Sequence, residues 1–118
     1  MTIGEVSLET NDVVRLANFY RALLGLEAGP DTDDPVHQVL IAEGTGLTVY
    51  NNGTPKSGEN DRIALAFTVD DVDAEYVRLL AMGVTVLEPP TTRPWGARNM
   101  QFLDLDGNHI YFRSLQKE

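Results

Sequence analysis

The chain has 118 residues, 42% of them hydrophobic, which fits one folded domain and is too apolar for a disordered segment. Eighteen acidic residues against nine basic ones give a net charge of −9, a surface that repels nucleic-acid backbones and anionic membranes. With no cysteine, disulfides, thiolate metal sites and a cysteine nucleophile are excluded. The opening residues show no secretory signal and no apolar run approaches a membrane span, so a cytoplasmic protein is expected, with neither nucleic acid nor membrane as partner.

In chain order, the first expected element is a strand from Val6 to Glu9, where Val6 and Leu8 alternate with Glu5, Ser7 and Glu9. Asn11 or Asp12 then caps a helix whose stripe is Leu16, Phe19, Tyr20, Leu23 and Leu24, and which Gly25 ends. Three strands are predicted to follow, near Leu26–Ala28, His37–Glu43 and Gly46–Asn51, the last two joined by a turn at Glu43–Gly46. The stretch 51–60 is rich in turn formers and reads as a linker, centred near 55–61.

The pattern then repeats. A strand at Ile63–Val69 leads to a helix capped by Asp70 or Asp71, with Val72, Tyr76, Leu79 and Leu80 as its stripe and Gly83 as its stop. Strands are predicted near Thr85–Glu88, Arg98–Asp104 and His109–Ser114, the last two joined by a hairpin turn containing Asp106-Gly107. The order is βαβββ, twice, with module 1 at about 1–54 and module 2 at about 62–118, each predicted to be one sheet with its helix on one face. Period-two alternation puts bulky residues such as Leu65, Phe67, Ile110 and Phe112 under the helices. Ala64, Ala66, Thr68, His109, Tyr111 and Arg113 fall on the opposite face, which is either a ligand-binding interior or a solvated surface.

Residues Glu5 to Leu26, with Phe19-Tyr20 on the helix and Leu24-Gly25-Leu26 after it, resemble the opening of vicinal-oxygen-chelate proteins, the glyoxalase/bleomycin-resistance/dioxygenase superfamily. Ala64–Asp71, Pro94–Arg98 and Phe102–Asn108 extend the resemblance over nearly the whole chain. It implies an α+β fold of two βαβββ modules, curved into a mixed-sheet cup, and a homodimer whose modules pair within one chain or swap between chains. Metal-dependent members carry four His or Glu ligands on four strands. Here those positions fall on Glu5, on one of Leu47, Thr48 and Tyr50, on Ala64 and on Tyr111. One carboxylate among them does not hold a divalent ion, so no metal and no cofactor is expected. Glu5 with His109, and Tyr111 as a weak third donor, is the alternative metal site; His37 reads as an ordinary histidine.

The function implied is binding of a small organic molecule, sequestering an aromatic or cationic compound such as an antibiotic. The expected ligand-binding residues are Glu5, Ser7, Tyr50, Ala64, Trp95, Arg98, Met100, His109 and Tyr111. Trp95, Tyr50 and Tyr111 offer ring faces, Glu5 and Glu9 suit a cation, and Arg98 or Arg113 suits an oxyanion. Each also has a structural reading: Trp95 as a cover beside Pro94, the tyrosines as half-buried sheet residues, Arg98 as a brace for its own loop. The alternative function is an enzyme of the same superfamily, a lyase, isomerase or dioxygenase with a rebuilt metal site or with Glu5 as general base. An interaction role, with the cup filled by its own side chains or by a partner, is the third.

Overall fold

The computed structural model describes residues 1–58 and 60–115. The chain divides into two units, Met1–Ser57 and Gly58–Glu118.

In the first unit, β1 (Glu5–Glu9), α1 (Val13–Leu24), β2 (His37–Ile41) and β3 (Gly46–Tyr50) form a helix on a three-stranded sheet of order β1-β3-β2. β1 runs parallel to β3, and β2 antiparallel to it. Asp12 is the helix cap, its carboxylate accepting the Arg15 N–H at 3.2 Å. Gly25 ends the helix at φ +66°, a left-handed conformation open to glycine at little cost. Leu16, Tyr20 and Leu23 are buried as the periodicity requires, along with Val13 and Ala17.

The strand predicted near Leu26–Ala28 does not form. Two prolines, Gly29 and three aspartates between 29 and 35 favour turns there, with Thr32 N–H donating to Gly29 O at 3.4 Å and Asp34 N–H to Asp31 O at 2.9 Å. A carboxylate then does part of the work of the missing strand: Asp31 Oδ2 accepts the Val39 N–H on β2 at 2.7 Å. The segment is tied inward as well. Arg21, buried on α1, donates to Gln38 Oε1 at 2.6 Å and reaches Asp31 at 3.4 Å. Gln38, fully buried, donates to the carbonyls of Thr32 and Asp34. The first module is therefore βαββ.

The second unit has all five expected elements: β4 (Asn60–Thr68), α2 (Val72–Ala81), β5 (Val86–Thr92), β6 (Ala97–Leu103) and β7 (Asn108–Leu115). Their sheet order is β4-β7-β6-β5, with β4 parallel to β7 and the other pairs antiparallel. β4 begins at Asn60, inside the stretch read as a linker. Asp71 caps α2 by accepting from the N–H groups of Asp73 and Ala74. Val72 and Leu79 are buried, whereas Leu80, assigned to the apolar stripe, is 51% exposed. Consecutive helical residues sit about 100° apart, so one stripe does not hold both leucines at its centre.

The core of this unit is aromatic. Phe112 meets Phe102 edge-on at 5.0 Å and Phe67 at 6.1 Å. The hairpin between β6 and β7 is fixed by Asp104, whose Oδ1 accepts from the N–H groups of Asp106 and Asn108 and whose Oδ2 accepts from the Asn108 side chain. No helix among the described residues is long and apolar enough to cross a membrane.

Candidate functional site

Strand register decides which side chains share a face. In the second sheet Ala66 pairs with Tyr111, Thr68 with Arg113, Gln101 with Tyr111, and Asn99 with Arg113. Because faces alternate along a strand, these residues, with Ala64, His109 and Ala97, lie on the face away from α2. Met100 and Phe102 pair with Phe112 and Ile110 on the buried face instead.

Two of the expected ligand residues are thereby moved. Met100 is completely buried and belongs to the core. Arg98 shares its parity and faces α2, where Nε and Nη2 donate to the two carboxylate oxygens of Asp73 at 2.9 and 2.8 Å. That contact holds the Asp73 carboxyl below its usual range and the Arg98 guanidinium above its own, in both cases chiefly through the hydrogen bond between them. Arg98 braces the start of α2 against β6 and does not reach the open face.

The open face carries a depression of about 440 Å³, within the range of small-molecule sites. Its floor is small: Ala66 on β4 and Ala97 on β6. Asn99, Tyr111 and Arg113 rise from β6 and β7, and Arg93 and Trp95 come from the loop between β5 and β6. That loop is a turn with proline second and glycine fourth. Gly96 N–H donates to Arg93 O at 3.3 Å, Arg93 N–H donates to Ala97 O at 2.7 Å, and Gly96 sits at φ +95°. The geometry leaves Trp95 72% exposed, with the Arg93 guanidinium 6.0 Å from its ring.

Arg93 is itself held, donating through Nε to Asn99 Oδ1 at 3.0 Å and pairing with Glu88 through Nη2. Arg113 Nε donates to Thr68 Oγ1 at 3.1 Å. His109 shares the face beyond the depression, its Nδ1 bonded to Gln101 at 2.8 Å.

The first sheet has its own open face. Ser7 pairs with Thr48, Glu9 with Tyr50, and His37 with Tyr50. Glu5 Oε1 accepts the Thr48 hydroxyl at 2.9 Å, Glu9 accepts from the Asn52 side chain at 2.9 Å, and the rings of His37 and Tyr50 meet edge-on at 5.9 Å. Leu47 lies on the buried face, which narrows the second metal-ligand position to Thr48 or Tyr50.

The side chains at the four positions that the sequence resemblance points to do not suit a metal ion. In the first unit the two positions offer one carboxylate and a hydroxyl or phenol; in the second they offer the methyl of Ala64 and the phenol of Tyr111. Among the described residues no three of His, Asp and Glu are grouped to hold a metal ion.

Sequence reasoning missed Arg93 and Asn99. Asn99 was legible, since its parity is opposite to that of the core residues Met100 and Phe102. Arg93 was not, because its place depends on the loop closing and on Glu88, five residues earlier on β5.

The glyoxalase/bleomycin resistance protein/dioxygenase superfamily model matches residues 2–112. The uncharacterized protein YetH of Bacillus subtilis (strain 168) is 27% identical over 112 residues, covering 90% of this chain and 92% of YetH. Two solved structures show the same fold. A glyoxalase/bleomycin resistance protein/dioxygenase family enzyme from Burkholderia phytofirmans PsJN has a TM-score of 0.80 at 19% identity, covering 98% of this chain and 99% of that one. A glyoxalase/bleomycin resistance protein/dioxygenase from Nocardioides has a TM-score of 0.75 at 24% identity, covering 99% and 85%.

Proposed function

We propose that this chain, which belongs to the glyoxalase/bleomycin resistance protein/dioxygenase superfamily, is a small-molecule binding protein that holds an aromatic compound on the open face of its second sheet without a metal. One observation carries the reading. Trp95 stands 72% exposed at the rim of a depression floored by Ala66 and Ala97. An indole left in water forgoes the burial that normally stabilises it, and a flat ligand laid against it recovers that burial. The alanine floor leaves room for the ligand to approach the sheet, and Tyr111 supplies a second ring and a hydroxyl. Sequestration of an antibiotic, action as a homodimer and a cytoplasmic location form part of the same proposal.

The test is calorimetric titration with a panel of planar aromatic compounds, each recovered afterwards and checked by mass spectrometry. Saturable binding of unchanged compound, lost in Trp95→Ala with the circular dichroism spectrum intact, is the expected result. Sedimentation velocity tests the dimer, which has twice the 13.0 kDa chain mass.

A second reading rests on the Glu5–Thr48 hydrogen bond, which fixes a carboxylate on the open face of the first sheet. There Glu5 acts as general base in an isomerase or lyase. Chemical conversion of a bound compound, abolished in Glu5→Gln, would establish it; conversion retained in that variant would remove it.

A further inference from the structure

We infer that the compound held at the second sheet is an aromatic carboxylate, its ring against Trp95 and Tyr111 and its anionic group on Arg113 and Asn99. The inference rests on the binding reading above and adds the ligand's charge to it.

Several arginines are already neutralised. Arg21, Arg78, Arg93 and Arg98 each pair with a carboxylate: Asp31, Glu75, Glu88 and Asp73. Arg113 differs. Its Nε donates to the neutral hydroxyl of Thr68, and among the described residues no carboxylate lies within ion-pair distance of it. Arg62 on β4 likewise has no carboxylate partner among the described residues, but of the two only Arg113 lines the cavity, where its guanidinium stands without a counter-ion. The Thr68 bond also sets the side chain's orientation through Nε, leaving the two Nη groups to act as a fork toward an incoming anion.

Asn99 supplies the second donor. It stands opposite Arg113 in the β6–β7 register. An arginine only donates, so the bond from Arg93 Nε fixes the Asn99 oxygen toward Arg93 and leaves the amide NH₂ as a donor. Arg93 is occupied by Glu88 and Asn99 and serves to orient this amide. Two donors thus stand side by side on the wall, with no acceptor carboxylate among the residues lining the depression. A cation there would meet a guanidinium; a carboxylate would meet two sets of N–H groups.

The experiment compares three probes of one shape by isothermal titration calorimetry: 2-naphthoate, neutral 2-naphthamide and cationic 2-naphthylmethylamine. With the unmodified protein, 2-naphthoate should bind at least about tenfold more tightly than the amide. The amine should bind most weakly. Arg113→Gln should bring the carboxylate and the amide to equal affinity. If all three probes bind equally well, and Trp95→Ala abolishes all three, the site stands and the assignment of charge is overturned. Tightest binding of the amine overturns it too. Failure of every probe to bind overturns both this inference and the site itself. The ranking of the three probes is read on the unmodified protein, so that arm of the test does not depend on the folding of any variant.

Discussion

Arg98 and Asp73 form a two-pronged contact, Nε to Oδ2 at 2.9 Å and Nη2 to Oδ1 at 2.8 Å, that joins β6 to the first turn of α2. It places Arg98 on the opposite side of the sheet from Arg113. Asp73 is exposed and Arg98 half-buried, and the contact is open to screening by salt. Its pH dependence follows from the two shifts. The Asp73 carboxyl is lowered by the guanidinium, so its contribution to stability is present above the ordinary value of 3.8 and is lost as pH falls through the lowered one. The Arg98 guanidinium is raised by the carboxylate, so its contribution is present throughout the acidic and neutral range and is lost only as pH rises through the raised value. Between these limits the contact is independent of pH. Carbon-detected titration of the side-chain carboxyls should show Asp73 below 3.8 in the unmodified protein and returned toward 3.8 in Arg98→Gln. That variant should bind aromatic probes as the unmodified protein does; a large loss of binding would return Arg98 to the site.

Met100 and Ala66 separate stability from binding. Met100 is fully buried beneath the second sheet, so Met100→Ala should cost about 2–5 kcal/mol in urea unfolding while leaving probe affinity near its original value. Ala66 lies on the open face at the floor of the depression. Ala66→Leu fills that floor with little change in stability and should weaken binding at least about tenfold, the effect of about 1.4 kcal/mol. A reversed pattern, with Met100→Ala weakening binding and Ala66→Leu leaving it unchanged, would put the ligand elsewhere.

The Arg21–Gln38 pair tests why the first unit manages with three strands. Gln38→Ala removes the acceptor of a buried guanidinium and the donor to two loop carbonyls. A loss of about 2–3 kcal/mol is expected in urea unfolding. In a double-mutant cycle with Arg21→Ala the two losses should fall short of additive by at least about 0.5 kcal/mol. Additive losses would mean that the loop is held by other contacts.

How much of this was legible beforehand differs by residue. Helix boundaries were, because Asp12, Gly25, Asp71 and Gly83 are local signals whose effect does not depend on distant packing. The βαβββ order of the second half was also legible, since alternation from Leu65 to Val69 and the Asp-Gly hairpin speak for themselves. The missing strand after α1 was not, although Gly29, Pro30 and Pro35 argued against it: the similarity between the halves outweighed the local chemistry. On the open face, Ala64, Trp95, His109 and Tyr111 followed from parity and loop composition. Arg98 and Met100 were misplaced because the parity of β6 was not carried through from Phe102. Gln38 was invisible as a buried polar residue, because its partners Arg21 and the loop carbonyls come together only in the folded unit.

The central claim is that the open face of the second sheet binds an aromatic small molecule. Its most direct test is the change in amide and side-chain chemical shifts when isotope-labelled protein is saturated with 2-naphthoate. Shift changes concentrated at Ala66, Trp95, Asn99, Tyr111 and Arg113, with the α2-facing residues Met100 and Arg98 little affected, are predicted. Changes confined to the first unit or to α2, or no saturable change at all, would contradict it.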